Sequence, residues 1–520
     1  MKITLTGIDY LVLFTYVVTL FILGFYLKSR RSSPGADIFL GGRSLRWWQI
    51  GFSMFSANAG PMMLIGLCSL GFSKGVVGSN FEWLAWIFLI LLATFFIPRY
   101  ISVGISTIPQ FLLLRYGRRS YNFLVVYSLI SILFVWLGSA LYAGGLVISA
   151  VFDCPLLSAV ILVAVISTSY TAIGGLKAVV RTGVFQSLII IISSLLLTLL
   201  AIWKLGHATT GVSNAVPPDY WKLFHSSADP EYSWIAIIAG YPVVAVYYWC
   251  ADQTIVQKVL AARSIKEGQY GILFLAALKI ITPFIFVLPG ILCFLLYGNT
   301  TEPDNSYMML VKQLMPPGLR GLCIAALIAS LIDTVSSGLN SFSTVFTLDV
   351  VSQFMPLNNS NKVRIGRWMT ALAAVLGVAI AILFSYSGKS LFELTQGLVS
   401  ILAPPLSVVF LSGIFWKRTH QTGADAVLFG GGFICVLMGI CYVLNYPYKG
   451  FWPHFLLLSV YIFIGLVGLM AVITYVFKAP ERELPVFTFP GNGLPAMGRG
   501  LWLGWGLLAL VMAIIYIVLN

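Results

Sequence analysis

Five ionisable side chains interrupt long apolar stretches of this 520-residue chain, at Glu82, Asp252, Lys279, Asp333 and Glu393. A charge near the centre of a bilayer costs roughly 2.5–3.5 kcal/mol on insertion scales, so such residues usually bind a solute, an ion or an opposite charge. Glu82 and Asp252 lie near the ends of their stretches, where water could solvate them. Lys279 and Asp333 lie deeper and are therefore the stronger candidates for a binding site inside a membrane.

Asp333 belongs to a polar stripe on an otherwise apolar segment. Ser330, Asp333, Thr334, Ser337 and Ser341 recur at helical spacing and share one face. A close contact between helices would explain the small hydroxyl residues, but it gives no reason for a carboxylate. Hydroxyl and carboxylate oxygens suit a hard cation such as sodium. The stripe therefore indicates a site for a hard cation, and the alternative is that Asp333 carries a proton.

Two of the segments that would position these groups contain helix breakers. The first break is predicted at Asn58-Ala59-Gly60-Pro61 and the second at Gly240-Tyr241-Pro242. Interrupted membrane helices in corresponding parts of a chain expose backbone groups that bind solutes and ions. One break alone would favour a simple proline kink, which membrane helices tolerate. Two breaks, each opening a block of five apolar segments, favour a transport site.

The composition is that of a polytopic membrane protein. Hydrophobic residues make up 59% of the chain and charged residues 9%, whereas a soluble domain carries about 25% charged residues. Fourteen segments are long enough to span a bilayer, since a spanning helix needs roughly 20 apolar residues. The sequence thus predicts an all-α protein with 14 transmembrane helices.

The net charge of +14 reflects membrane topology and not a nucleic-acid partner. Most Lys and Arg residues fall in alternate loops on one side of the predicted membrane, among them Arg43, Arg115, Arg181, Lys258 and Arg263. By the positive-inside rule that side is cytoplasmic, which places both termini outside the cell. The prediction is a multi-pass protein of the plasma or inner membrane, in contact with the lipid bilayer and with no nucleic-acid partner.

The sequence gives little support for catalysis. It contains no His-Glu-x-x-His motif and no phosphate-binding Gly-x-x-x-x-Gly-Lys loop. Gly174-Gly175 is better explained as a tight bend between two helices than as a phosphate loop. We predict a transport protein rather than an enzyme, and nothing in the sequence demands an obligatory protein partner.

Several motifs, in this order along the chain, resemble those of the sodium/solute symporters, and most closely the sodium/glucose branch. They are residues 39–45 (FLGGRSL), 170–180 (YTAIGGLKAVV), 247–253 (YYWCADQ), 339–349 (LNSFSTVFTLD) and the segment 404–418. The resemblance implies a leucine-transporter-type core, an inverted five-plus-five repeat whose first and sixth helices are broken. The implied divisions are an extra N-terminal helix and loop (1–46), the two repeats (47–203 and 233–416) and three C-terminal helices (417–520).

The resemblance also implies a substrate pocket built from carboxylates, amides, an ammonium group and two aromatic rings: Asn58, Glu82, Lys279, Glu393, Gln396, Tyr248 and Trp249. Such groups donate to and accept from many hydroxyls, and the rings can stack on the apolar face of a sugar. Met63 departs from the pattern, because sugar transporters carry a polar side chain there.

The ion site implied by the resemblance joins the first break to the polar stripe. It uses main-chain oxygens of Ser56, Ala59 and Ser330 and the side chains of Asp333 and Thr334. A second sodium site, present in some members, needs an aspartate at the position of Gly183, so we expect none here.

Taken together, these features predict a symporter that imports a small polar solute, most simply a sugar, by alternating access driven by a sodium gradient. The alternatives are a proton-coupled symporter that uses Asp333 and a solute sensor that does not transport.

Overall fold

The computed structural model describes residues 4–25, 38–207, 216–217, 219–298, 302–386, 391–448, 450–477 and 497–519, without the side chains of residues 62, 391–396, 398 and 443. Over these residues the chain is helical. The only β-structure among them is a pair of isolated bridges, Leu45 with Ala262 and His225 with Ser233.

The described elements fall into three kinds. The α-helices are Gly7–Phe25, Trp47–Asn58, Pro61–Lys74, Asn80–Trp83, Ala85–Leu91, Ile97–Ser102, Ile108–Arg115, Arg118–Ser131, Ser139–Phe152, Leu156–Gly206, Tyr241–Val246, Gln253–Leu260, Ile265–Tyr297, Ser306–Leu314, Leu319–Val345, Ser352–Phe354, Asn359–Ser385, Leu391–Phe415, Gln421–Asp425, Gly432–Val443, Phe455–Val476 and Arg499–Val518. The π-helical turns are Leu92–Phe96, Ile132–Gly138, Ala236–Gly240, Tyr247–Ala251, Phe346–Val351 and Ala426–Gly431, and the 3-10 turns are Gly75–Ser79 and Pro303–Asn305.

The helices make this a multi-pass integral membrane protein. Within the described residues, 10 helical stretches are long and apolar enough to cross a membrane, and Ala236–Ala251 and Val399–Phe415 are shorter apolar helices. The 51-residue helix Leu156–Gly206 contains one non-helical residue, Gly175, at φ 58° and ψ −155°. A Cβ there would lie 2.4 Å from the Ile38 carbonyl oxygen, so this bend requires glycine. The count of 14 crossings stays a prediction.

The first interruption divides what we call the broken helix, Trp47–Asn58 and Pro61–Lys74. The chain leaves helical geometry at Ala59 (ψ 44°) and Gly60 (ψ 169°), where the sequence places its first break. Pro61 begins the next helix, a position at which its missing N–H costs nothing. The Ala59 N–H still donates to the Phe55 carbonyl and the Gly60 carbonyl still accepts from the Leu64 N–H, so each linking residue keeps one bond to its own half of the broken helix.

The second interruption lies ten residues beyond its predicted place, so that prediction was wrong. Residues Ala236–Gly240 form a wide π turn, and Tyr241 and Pro242 continue the helix. The wide turn accommodates the proline ring near the start of Tyr241–Val246. The chain leaves the helix at Asp252 instead (φ −71°, ψ 125°), whose side chain accepts hydrogen bonds from the next turn and begins Gln253–Leu260, which we call the capped helix.

The polar stripe lies on Leu319–Val345, which we call the polar helix, and this helix occupies the centre of the molecule. Nearly every residue from Gly321 to Val345 is buried. It packs against Leu156–Gly206, the broken helix and the capped helix. Ser330, Asp333 and Ser341 are therefore removed from solvent by neighbouring helices, as expected of a site in the interior of a membrane bundle.

Glycines allow the broken helix to pack closely against Ile265–Tyr297. We call Ile265–Tyr297 the lysine helix because it carries Lys279. A Cβ on Gly290 would lie 1.8 Å from the Cys68 carbonyl oxygen. We expect Gly290→Ala to force the two backbones apart and to cost about 3 kcal/mol of stability, because overpacking against backbone cannot be relieved by a rotamer change. Thermal unfolding of the purified protein measures the loss. Gly465→Ala is the matched control, since a Cβ there meets nothing within 4 Å, and an equal shift in both variants would contradict the prediction.

Candidate functional site

Three predicted substrate residues meet in one buried cluster, at the point where the broken helix faces the lysine helix. Lys279 Nζ lies 2.5 Å from Glu82 Oε2, and it also donates a hydrogen bond to Asn58 Oδ1. The side chains are 2% exposed for Lys279, 1% for Glu82 and 4% for Asn58. An ammonium and a carboxylate this deeply buried stabilise one another, and removing either would leave an uncompensated charge.

The two predicted aromatic residues extend this cluster. Asn58 Nδ2 donates to the Tyr248 hydroxyl at 2.8 Å, and the Lys279 ammonium lies 5.1 Å from the centroid of the Trp249 ring. The Tyr248 ring stacks on Trp136 with centroids 5.8 Å apart and an interplanar angle of 18°. The structure therefore brings together five of the seven predicted substrate residues.

A cavity lies beside this cluster and is walled mostly by apolar and aromatic side chains. Asn58, Glu82, Tyr248 and Trp249 line it, and so do residues not predicted from the sequence: Met63, Phe81, Trp136, Tyr241, Val244 and Phe455. Lys279 lies behind Asn58 and Glu82 and reaches the cavity through them. A mainly apolar cavity with a few fixed polar groups is the usual form of a small-molecule site.

Two predicted substrate residues cannot be placed against this cavity. Glu393 and Gln396 fall in helix Leu391–Phe415, but their side chains lie outside the described part of the chain. Further along the same helix, Ser400 and Val399 line the cavity. The predicted role of Glu393 and Gln396 in binding the solute stays a prediction.

Trp136 is a component that the sequence reading missed. Its ring covers Tyr248, and its Nε1 donates to Asp252 Oδ2 at 3.1 Å. Asp252 Oδ1 accepts from the Thr254 main-chain N–H at 2.8 Å, so the cavity wall is joined to the cap of the second interruption. Nothing in the apolar segment around Trp136 distinguishes it in sequence, because its partners come from a distant part of the chain.

The Thr334 hydroxyl faces the first interruption. Its Oγ1 lies 3.2 Å from the Ala57 carbonyl oxygen and 2.9 Å from the Ser330 carbonyl oxygen, and it can donate a hydrogen bond to either. A Cβ on Gly60 would lie 2.9 Å from Thr334 Oγ1, so glycine permits the break to approach the polar helix. Carbonyl oxygens and a hydroxyl at a helix interruption are the donor set that a sodium ion requires.

The Asp333 carboxylate faces a different neighbour, the helix Leu156–Gly206 at Gly183. A Cβ on Gly183 would lie 2.9 Å from Asp333 Oδ1, 3.0 Å from Ser56 Oγ and 3.2 Å from Ser53 Oγ. Asp333 is 0% exposed, and its Oδ2 has no hydrogen-bond partner, nor has Ser53 Oγ. With its amide nitrogen turned toward Asp333, Gln186 donates to Oδ1 at 3.1 Å. The unpartnered carboxylate oxygen is an acceptor that a cation would satisfy.

Lys258 corrects one part of the charge analysis. The sequence assigned it to a cytoplasmic loop, but the structure places it on the capped helix at 1% exposure. Its Nζ donates to Ser337 Oγ at 3.0 Å. The capped helix is too short to span a membrane, and it is buried because the polar helix packs against it, which the local sequence alone does not reveal.

Comparison with known protein families agrees with this geometry. The model of the sodium:solute symporter family matches residues 38–431. A sodium/glucose cotransporter of Vibrio parahaemolyticus is 32% identical over 451 residues, which cover 81% of this chain and 83% of that protein. The sodium/myo-inositol cotransporter of Homo sapiens is 32% identical over 496 residues, covering 86% of this chain and 68% of that protein.

Two solved structures are similar in fold. A sodium-coupled sialic acid symporter in a substrate-bound, outward-open state has a TM-score of 0.77, with 21% identity over 91% of this chain and 99% of that chain. A transporter of the nucleobase–cation symport family in a closed conformation has a TM-score of 0.57, with 13% identity over 88% of this chain and 97% of that chain. The expected leucine-transporter-type fold is thereby confirmed, while the boundaries of the two repeats stay predictions.

Proposed function

The chain belongs to the sodium:solute symporter family, and we propose that it imports a small uncharged polyhydroxylated solute, most simply a sugar, at the expense of a sodium gradient. The observation that carries the proposal is the buried Lys279–Glu82 pair bonded to Asn58 beside an aromatic cavity. Similarity to sodium/glucose and sodium/myo-inositol cotransporters supports the same class of solute.

The charge of the site favours a neutral solute. Lys279 and Glu82 cancel one another, so an anionic or cationic solute would bring an uncompensated charge into a buried cavity. Asn58 and Glu82 can exchange hydrogen bonds with hydroxyl groups. Tyr248, Trp249 and Trp136 offer faces for the apolar side of a ring. A ring with hydroxyls on one edge satisfies both halves of this cavity.

The residues at the first interruption suggest how the ion and the solute are coupled. Asn58 binds on the solute side of the break, and Ala57 accepts from Thr334 on the ion side. A sodium ion held by main-chain oxygens of Ser56 and Ala59 and by the polar helix would fix the break in one geometry, and with it Asn58. Ion and solute would then each raise the other's affinity by the same factor, as linkage requires.

In the proposed cycle, sodium binds first from outside, and the solute then occupies the cavity. The core reorients and both are released to the cytoplasm. Tyr248, stacked on Trp136 and held by Asn58, is placed to close the cavity on one side. Both termini lie outside the cell in this arrangement, as the positive-inside rule predicts.

Uptake into proteoliposomes tests the proposal. The purified protein is supplied with labelled glucose, galactose and myo-inositol, with sialic acid as an anionic control and with proline as a zwitterionic control. Each is tested under an inward sodium gradient, an inward proton gradient or neither. We expect at least one neutral sugar or polyol to accumulate only under the sodium gradient. Accumulation of only sialic acid or proline would overturn the proposed substrate class, and accumulation under the proton gradient would overturn sodium coupling. No flux of any sugar or polyol would overturn the proposed sugar and leave another organic solute or a sensor.

A further inference from the structure

Lys258 is a buried cation for which the solute cluster provides no role. Its Nζ donates to Ser337 Oγ at 3.0 Å, and Ser337 lies one helical turn beyond Asp333 on the polar helix. The adjacent Gln257 donates to Thr344 Oγ1 at 2.7 Å and accepts from Ser341 Oγ at 2.8 Å. These contacts join the capped helix to the polar helix and hold the ammonium beside the face that carries Asp333.

Lys258 interacts electrostatically with two buried carboxylates, those of Asp333 and Asp252. The two carboxylates differ in their hydrogen bonding. Asp252 accepts from two main-chain N–H groups and from the side chains of Trp136 and Tyr247. Asp333 Oδ2 accepts none. An under-bonded buried carboxylate gains most from a nearby cation, so Asp333 is the carboxylate for which the ammonium has the stronger attraction.

The other side of Asp333 is lined by neutral groups. Ser56 and Ser53 hydroxyls converge on the carboxylate at Gly183, which contributes no charge, and the Gln186 amide can donate to it. A sodium ion at Asp333 would therefore have the Ser53 and Ser56 hydroxyls as candidate ligands and, as a neighbouring cation, the ammonium group that is bound to Ser337 one turn along the same helix. Two monovalent cations that share one carboxylate, here the sodium ion and the Lys258 ammonium, repel each other in a region of low dielectric constant.

We propose that Lys258 is a tethered competitor of the transported sodium ion for Asp333. The ammonium weakens sodium binding, which allows release, and it neutralises Asp333 once the ion has left. The capped helix leads into the loop that holds Arg263, and Lys266 follows in the first turn of the lysine helix. The positive-inside rule places both residues in the cytoplasm, so the competitor approaches from the side of release. This inference rests on the proposed sodium coupling and describes how that same site is regulated.

Equilibrium binding of sodium-22 to the purified full-length protein, at constant ionic strength, tests the inference. We expect Lys258→Gln, which removes the charge and can still bond to Ser337, to bind sodium about tenfold more tightly than the parent. Lys258→Arg keeps the charge and should stay close to the parent. Ser337→Ala releases the tether, so the ammonium moves onto Asp333 and sodium binds several-fold more weakly.

The opposite signs of these effects separate competition from a purely structural role. If Lys258 only filled space, Lys258→Gln and Ser337→Ala would both leave the affinity unchanged or both weaken it, and the inference would be wrong. In Lys258→Gln/Ser337→Ala there is no ammonium group for position 337 to bind. The sodium affinity of this double variant should therefore equal that of Lys258→Gln alone. Absence of sodium binding by the parent protein would instead overturn the proposed sodium coupling, and the competitor with it. Gel filtration and thermal unfolding confirm that each variant is folded.

Discussion

Replacing Lys279 with methionine should lower sodium-driven uptake by about 100-fold or more. The variant loses the group that holds Asn58 and Glu82 in place, and it leaves Glu82 as an uncompensated charge with 1% exposure. Breaking a buried ion pair by removing one partner costs about 3–5 kcal/mol, so the temperature of unfolding should fall as well. Uptake in proteoliposomes and thermal unfolding of the purified protein measure the two effects.

A second variant separates loss of the site from loss of the fold. In Glu82→Gln/Lys279→Met the cluster is again neutral, so we expect much of the thermal stability to return while uptake stays low. Lys266→Met is the matched control, because Lys266 lies on the same helix and is exposed. Recovery of uptake together with stability in the double variant would show that the pair is structural and that it does not organise the solute site.

Two members of this cluster, Lys279 and Glu82, could be predicted from the sequence because a charge in an apolar stretch is costly, whereas Asn58, Tyr248 and Trp249 followed only from the resemblance to the sodium/solute symporters. A lysine deep in an apolar stretch requires a partner, and Glu82 was one of few carboxylates available. The contact between Lys279 and Glu82 joins residues 197 positions apart, so no local pattern could have established it. Sequence patterns predict which buried charges need a partner. The identity of that partner depends on how the helices pack.

The second interruption shows where such reasoning fails. Gly240 and Pro242 are strong helix breakers, but the π turn Ala236–Gly240 accommodates them and the helix continues. The actual break at Asp252 depends on a side chain that bonds both to its own next turn and to Trp136. Lys258 was misplaced for a related reason. Its short helix looks like part of a loop until the polar helix is packed against it.

The second large effect is expected at Asp333, whose substitution by asparagine should weaken sodium binding by about 100-fold. The variant removes a full negative charge from a dry site whose other candidate ligands are neutral oxygens. Solute could still equilibrate across the membrane, but it should no longer accumulate against its gradient. Sodium-22 binding and the steady-state accumulation ratio are the measurements, and concentrative uptake equal to that of the parent would contradict the role of Asp333 in coupling.

Moving the carboxylate from position 333 to position 183 tests whether Asp333 supplies the negative charge that Gly183 does not. Gly183→Asp alone puts its Cβ 2.9 Å from Asp333 Oδ1 and so brings a second carboxylate beside the first. We expect a destabilised protein because like charges repel in a buried site. In Gly183→Asp/Asp333→Ser the new carboxylate has room, and it faces the same Ser53 and Ser56 hydroxyls. Sodium binding should then recover to within about tenfold of the parent. If the double variant folds and binds sodium no better than Asp333→Asn, the ion requires the carboxylate on the polar helix itself, where it can also reach Lys258.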